Sequence, residues 1–271
     1  MPGQQRVQKV HIDVDGVSLH ACLWGRQLAG RPAIVLLHDS LGSVALWRDF
    51  PARLAERTAC PVIAYDRYGF GLSTARRDRL PPGFIAGEAR PWLEAVLQHF
   101  GVERVVLFGH SVGGGMAVSA AAQMPQYVLG VITEAAQAFV EELTLHGIRE
   151  AAASFADPAQ LARLAKYHGN DMQQARWVLS AWIDTWRSPA FADWSLAPML
   201  ARLQCPVLAL HGDLDEYGSL AHPRMIASLP AAFSGQGRYQ VLAQCGHVPH
   251  REQPQQVLQA TADFLLRCGV F

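Results

Sequence analysis

Gly109-His110-Ser111-Val112-Gly113 is a G-x-S-x-G pattern, set between the apolar run Val105–Phe108 and the Ala-rich stretch Val112–Gln123. The spacing has a mechanical reading. A strand ends, the chain turns sharply, and a helix begins, which leaves one residue strained at the apex. Its neighbours two positions away on either side must be small for strand and helix to approach so closely. The Ser111 hydroxyl then projects at the C-terminal edge of a sheet, at a helix N-terminus that favours developing negative charge. Serine is a weak nucleophile at its own pKa and needs an adjacent general base, for which histidine is the usual choice near neutral pH. Eleven histidines are present, so position has to select among them. His247 lies in a glycine-flanked loop after the last predicted strand, with His250 close behind it. His38, His110 and His211 end or follow core strands and read as hydrogen-bonded structural histidines. A carboxylate must orient the imidazole. Asp213, Asp215 and Glu216 follow the run Pro206–His211, and Glu134 ends the strand after the helix that Ser111 opens. Asp213 reads as a turn former.

These residues need a scaffold, and the pattern of the chain supplies one. Gln8–Val14 and Val17–Trp24 alternate and meet at Asp15-Gly16, a strong hairpin signal. Ala33–Leu37, Val62–Tyr65, Val105–Phe108, Val128–Thr133 and Pro206–Leu210 are short continuous apolar runs. Such runs suit strands buried on both faces, hence a parallel sheet. Arg238–Ala243 is a last strand. Helices are predicted over Trp47–Ala55, Gly87–Phe100, Val112–Gln123, Leu220–Leu229 and Pro254–Leu266. The alternation gives an α/β class with helices on both faces and an antiparallel edge. Residues 136–197 break the rhythm. They keep helical periodicity, hold no strand candidate, and contain Trp177, Trp182, Trp186 and Trp194. This segment is expected to be an inserted helical lid. Arg76–Arg79 with Pro81-Pro82-Gly83 reads as an exposed loop.

The composition narrows the function classes. The 271 residues carry 23 Lys+Arg and 23 Asp+Glu, for a formal net charge of zero. No excess cation is present to displace phosphate counterions, so nucleic acid is not the expected partner. Half of the residues are hydrophobic and 17% are charged, which is enough for a sizeable core. Five widely spaced cysteines, Cys22, Cys60, Cys205, Cys245 and Cys268, include no C-x-x-C. They read as free thiols in a reducing, cytoplasmic compartment, with no metal site. Met1–Asp15 shows no apolar signal region, and no run of about 18 apolar residues occurs, so no membrane span is expected.

Taken together, the sequence resembles the α/β-hydrolase superfamily over nearly its whole length. Leu36-Leu37-His38 resembles the family's strand-ending LHG element, and Asp66-Arg67-Tyr68-Gly69-Phe70-Gly71-Leu72-Ser73 its D-x-x-G-x-G-x-S loop. Gly246-His247 followed by Glu252 and Pro254 is similar to the C-terminal G-H-x4-E-x-P signature. The LHDSLGS…WRDFP, DEYGS and CGHVPH segments resemble those of esterase-like bacterial members. The resemblance implies a mostly parallel eight-stranded sheet with helices on both faces and an inserted helical cap. Residues 1–135 and 198–271 would form the core and 136–197 the cap. It selects His247 over His250 as the base. The family's G-x-x-D pattern selects Asp215 over Glu216 and Glu134 as the acid. The order Ser111, Asp215, His247 is the hydrolase order. The stretch between Ser111 and Asp215 exceeds what a helix, two strands and one further helix need, and the surplus is the cap.

An oxyanion needs two preorganised N–H donors, each worth about 3 kcal/mol. Val112 N–H is one. The family carries glycine after the His38 position, and here Asp39 stands there. Asp39 should therefore point its charge away, leaving Ser40 N–H as the second donor. Trp182 and Trp186 share a helix face, and with Phe139 they are expected to wall a substrate pocket. The reading is a serine hydrolase acting on a carboxylic ester of a small-to-medium substrate through an acyl-enzyme, with no cofactor and no metal. Thioesterase, lactonase and C–C bond hydrolase are alternatives of the same chemistry. A non-catalytic ligand receptor is the alternative of another class. Dehalogenase and epoxide hydrolase are disfavoured because those relatives carry Asp where Ser111 stands. Aminopeptidase is disfavoured because no amine-binding carboxylate cluster is evident. The oligomeric state is left open.

Overall fold

The computed structural model describes residues 7–25, 31–228 and 236–270. Met1–Arg6 and Leu229, on which two of the readings above partly rest, lie outside these residues. Strands β1 (Gln8–Val14) and β2 (Val17–Trp24) form the antiparallel hairpin, with Val14 opposite Val17. Asp15 and Gly16 both adopt positive φ, at 52° and 82°. A two-residue turn of this type requires that of both central residues. The chain continues through β3 (Ala33–Leu37), α1 (Phe50–Thr58), β4 (Val62–Tyr65), α2 (Phe84–Gly87) and α3 (Glu94–His99). Next come β5 (Val105–His110), α4 (Val112–Gln123) and β6 (Val128–Glu134). Helices α5 (Glu142–Ser154), α6 (Pro158–Ala165), α7 (Met172–Trp186) and α8 (Ala197–Leu200) follow. The chain ends with β7 (Val207–Gly212), α9 (Ala221–Ala227), β8 (Gly237–Leu242), α10 (Pro249–Glu252) and α11 (Pro254–Arg267).

The eight strands form one sheet in the order β1-β2-β4-β3-β5-β6-β7-β8. β2 pairs antiparallel with both β1 and β4, and every other pairing is parallel. The apolar runs divide their residues between two cores. Ala33, Val35 and Leu37 of β3 join Val105 and Leu107 of β5 on the face covered by α4. Ile34, Leu36, Val106 and Phe108 face the opposite way, against α1 and α11. Each large apolar side chain so buried contributes about 1.5–3 kcal/mol.

Several expected elements shift for local reasons. The helix read over Gly87–Phe100 is broken at Arg90, whose φ of −138° and ψ of 135° are extended. Pro91 follows, and its ring crowds the preceding residue out of the helical region. The helix read over Trp47–Ala55 begins later, with Pro51 at the start of α1, and Val44–Trp47 forms a separate tight turn. β7 begins after Pro206, which has no N–H to give to the ladder.

Residues 136–197 contribute no strand to the sheet. Asp157 and Asp171 cap α6 and α7 by accepting backbone N–H bonds, and Pro158 sits at the start of α6. The two ends of the segment meet in an antiparallel bridge between Phe139 and Ser195. Leu161, Leu164, Ala165, Ala175 and Val178 pack with Phe70 of the loop after β4. His168, hidden from solvent, ties this segment to two loops at once. Its Nδ1 accepts from Gly71 N–H at 2.8 Å, and its Nε2 bonds Leu41 O at 3.1 Å. All five cysteines are free. Among the described residues no helix is long and apolar enough to cross a membrane.

At the crossing of β5 and α4 there is no room for a side chain. A Cβ on Gly109 would sit 2.1 Å from Gly113 O, and one on Gly113 would sit 2.1 Å from Leu37 O. Backbone cannot yield as a flexible side chain does. Gly113→Ala is expected to cost about 3 kcal/mol or more. Gly87→Ala, where a Cβ meets nothing within 4 Å, is expected to be neutral or slightly stabilising. Thermal denaturation of the two variants checks the contrast. Equal melting temperatures would contradict the close approach.

Candidate active site

Ser111 stands between β5 and α4 with φ 54° and ψ −126°, a conformation that L side chains rarely adopt. Its backbone is pinned on both sides. Ser111 N–H donates to Glu134 O at 2.8 Å, and Ser111 O accepts from Gly114 N–H at 2.8 Å. The hydroxyl faces a cavity of about 240 Å³ that Ser40, Gln137, Trp182, Trp186 and His247 also line. Within it, Ser111 Oγ donates to Gln137 Oε1 at 3.3 Å. The hydroxyl makes no hydrogen bond to His247 in this conformation.

His247 is held from behind. Its Nδ1–H donates to both Asp215 oxygens, at 2.8 Å and 3.0 Å. Asp215 Oδ1 also accepts from Tyr217 N–H at 2.8 Å. The Tyr217 ring lies 4.7 Å from the His247 ring. Burial opposes charging of His247, but the Asp215 carboxylate more than offsets it, and the imidazole titrates above its ordinary 6.5. Burial likewise opposes ionisation of Asp215, and His247 outweighs it, holding the carboxyl below 3.8. Asp213, read as a turn former, accepts from Cys245 N–H at 3.2 Å.

The two residues weighed as alternatives pair with one another. His250 Nδ1–H donates to Glu134 Oε2 at 2.7 Å, fully inside the molecule. Between this pair and His247 stands His110, whose Nε2–H donates to His247 O at 2.7 Å. Burial pushes the His110 pKa down to about 4, so the ring is neutral. His110, Glu134 and His250 place one ligand atom each within 4.8 Å of one another, the spacing of a possible cation site among the described residues. Of their ligand atoms, His250 Nδ1, Glu134 Oε2 and His110 Nε2 are engaged in the hydrogen bonds just given.

His38 and His211 also carry hydrogen bonds. His38 Nδ1–H donates to Asp39 O at 2.9 Å, while its Nε2 accepts from Arg67 N–H at 3.2 Å. His211 Nε2–H donates to Gly218 O at 2.8 Å. The Asp66 loop is stapled by its own carboxylate. Asp66 accepts from Val44 N–H, from Leu72 N–H and from the His20 ring, at 2.6, 2.9 and 2.8 Å. A Cβ on Gly71 would collide with that carboxylate at 2.0 Å, which explains the glycine of the D-x-x-G-x-G-x-S loop. Arg67 Nη2–H then reaches Asp39 O at 2.8 Å. Asp39 folds one carboxylate oxygen over Gly42, where a Cβ would sit 2.0 Å from it, and still borders the cavity. Ser40 and Val112 meet across a small space that adjoins the main cavity.

One pocket expectation needs correction. Phe139 does not line the cavity, because its ring packs on His222 at 4.4 Å, at the bridge that closes the segment's stem. Trp186 borders the cavity but is only 3% exposed, set edge-on to Phe191 and Trp194 at 5.2 and 5.7 Å. Gln137 and Tyr217 were missed. Tyr217 carried a signal, since it follows Asp215 within one turn. Gln137 is a single polar residue in the apolar run after β6.

Comparison with known proteins agrees with this architecture. Residues 32–254 match the model of the alpha/beta hydrolase fold family, and the chain belongs to that family. It is 29% identical over 216 residues to the human serine hydrolase BPHL, covering 77% of this chain and 71% of that protein. It is also 29% identical over 254 residues to the biotin biosynthesis bifunctional protein BioHC of Cellvibrio japonicus. That match covers 86% of this chain but spans only 47% of the bifunctional protein. Among solved structures, the 2-hydroxy-6-oxo-6-phenylhexa-2,4-dienoate hydrolase of Rhodococcus superposes with a TM-score of 0.72 at 19% identity. That superposition covers 97% of this chain and 99% of that one.

The His247–Asp215 pair predicts a titration. Observed by NMR, the His247 ring should titrate above pH 6.5 in the wild type. In Asp215→Asn burial is no longer opposed by the carboxylate, and the midpoint should fall below 6.5. The same midpoint in both proteins would show that the carboxylate does not hold this ring in solution.

Proposed function

We propose that this chain is a serine hydrolase that cleaves a carboxylic ester, or a closely related acyl bond, of a small-to-medium substrate through an acyl-enzyme. One observation carries the reading. Ser111, strained at the strand–helix apex, opens into the same cavity as a His247 ring whose far nitrogen is bound to buried Asp215. In this reading Ser111 is the nucleophile. Its hydroxyl leaves Gln137 and turns to His247 Nε2, which takes the proton as Oγ attacks the carbonyl carbon. His247 then returns that proton to the departing alcohol. Asp215 keeps the Nδ1–H tautomer in place and stabilises the imidazolium. Water, deprotonated by the same ring, releases the acid.

The backbone supports two oxyanion donors. Val112 opens α4, and the first N–H groups of a helix have no partner within it. In a trans peptide the C=O and the following N–H point in opposite directions. His38 and Arg67 both hold Asp39 O, so Ser40 N–H is turned away from them. Residues 136–197 act as a cap over the sheet edge, placing Trp182 and Trp186 above Ser111. A cavity of about 240 Å³ is smaller than a typical drug-sized site of roughly 300–1,000 Å³, which supports a small acyl group.

Assays with p-nitrophenyl butyrate test the roles. Ser111→Ala and His247→Ala should each lower kcat/KM at least about a thousandfold, because the two act as a unit. Asp215→Asn should cost less than either. Near-wild-type turnover by folded Ser111→Ala would end the reading. The two tryptophans should separate. Trp182→Ala, at a half-buried wall, should change the preferred acyl-chain length with little change in melting temperature. Trp186→Ala should destabilise the fold by about 3–5 kcal/mol. A chain-length series with thermal melts on both variants checks this, and uniform losses at every length for Trp182→Ala would count against a wall role.

A further inference from the structure

Gln137 is polar, only 3% exposed, and aimed at the nucleophile. Its amide orientation is favoured by a second contact. Nε2–H lies 3.5 Å from Ala135 O, so a flipped amide would set two carbonyl oxygens against each other. Gln137 therefore presents an acceptor to the reacting centre, and in the resting chain the Ser111 hydroxyl occupies it. The geometry of a tetrahedral intermediate then restricts what replaces the hydroxyl. Such a centre has four substituents. One is Ser111 Oγ. The oxyanion faces the Val112 and Ser40 donors, and the leaving group faces His247. The acyl substituent is what remains for Gln137. A group that touches Oγ directly reaches an atom attached one bond beyond the carbonyl carbon.

Resting on the serine-hydrolase reading, we infer that Gln137 is a specificity-determining residue for acyl groups that carry a hydrogen-bond donor, hydroxyl or N–H, on the carbon next to the scissile carbonyl. The donor takes over Gln137 Oε1. The Ser111 hydroxyl is then free to turn to His247, so recognition and activation of the nucleophile are linked. The rest of the cavity agrees in sign. Asp39 and Glu216 border it, and among the described residues no Lys or Arg lines it. The surroundings thus favour donors and disfavour anions. A site whose buried acceptor is left unpaired discriminates strongly against the analogue lacking the donor.

The test compares ethyl lactate, ethyl alaninate, ethyl 2-methoxypropionate and ethyl isobutyrate, followed by acid release in a pH-stat. Lactate and isobutyrate differ by a hydroxyl in place of a methyl. The methoxy ester keeps the oxygen and removes the donor. Wild type should prefer lactate, alaninate or both to the methoxy ester by at least about tenfold in kcat/KM, and the better of the two tells hydroxyl from ammonium. Gln137→Leu should reduce the ratio of the preferred donor ester to isobutyrate at least about tenfold relative to wild type, which cancels the intrinsic reactivity of the esters. The wild-type comparison needs no variant, so poor folding of Gln137→Leu would not shield the inference. Rates on both the lactate and the alaninate ester no higher than on the methoxy ester, an unchanged ratio of the preferred donor ester to isobutyrate in the variant, or no turnover of any of the four esters would overturn it. Ser111→Ala separates the two levels. If it abolishes turnover while the ratios stay flat, only the role of Gln137 fails. If it retains turnover, the serine-hydrolase reading fails with it.

Discussion

Everything at this site depends on one steric constraint, the close approach of α4 to the ends of β5 and β3 at Gly109 and Gly113. Because neither position tolerates a Cβ, strand and helix approach until the residue between them is forced to positive φ. Strain of that kind costs about 1–3 kcal/mol and persists only where the surroundings over-determine it. Here they do. β5 lies between β3 and β6 in the middle of the sheet, and Ser111 N–H and O are both bonded. The constraint does two things at once. It lifts the hydroxyl out of the sheet edge, and it starts α4 at that hydroxyl, which leaves Val112 N–H beside it.

Around this apex the charges are arranged in two carboxylate–histidine pairs at different depths. Asp215–His247 opens onto the cavity, whereas Glu134–His250 is sealed inside the molecule. Neutral His110 stands between them and holds the His247 carbonyl. The deep pair is costly to break, since removing His250 leaves the Glu134 carboxylate buried without its partner. It makes a rigid backing for the loop that carries His247. On the other side Asp66 gathers the Val44 and Leu72 backbone, and Arg67 clamps Asp39. The loop that carries Asp39 and Ser40 is thus held by side chains from the loop after β4.

The strand–helix apex at Ser111 was legible because its chemistry and mechanics share one short spacing, small residues two positions either side of a serine after an apolar run. The sheet was legible for a similar reason, since continuous apolar runs have no stable place except between two layers. The helix break at Arg90 could have been read from Pro91. Choosing among Asp215, Glu216 and Glu134, or between His247 and His250, rested on family resemblance. Only the structure shows that Glu134 and His250 are partners, because their separation in sequence carries no periodicity. Phe139 was assigned to the pocket wall on aromatic character, which does not say which way a ring faces. Gln137 had no pattern at all. Its place at the serine comes from the sheet edge where β6 ends, next to β5.

The central claim is that Ser111 is a nucleophile activated by its surroundings. Labelling of the intact chain with a fluorophosphonate, followed by peptide mass mapping, tests it most directly. A single adduct on the peptide that carries Ser111, absent from Ser111→Ala and strongly slowed in His247→Ala, is the expected result. A chain that stays unlabelled while folded, or one labelled elsewhere at the same rate with and without Ser111, would contradict the account.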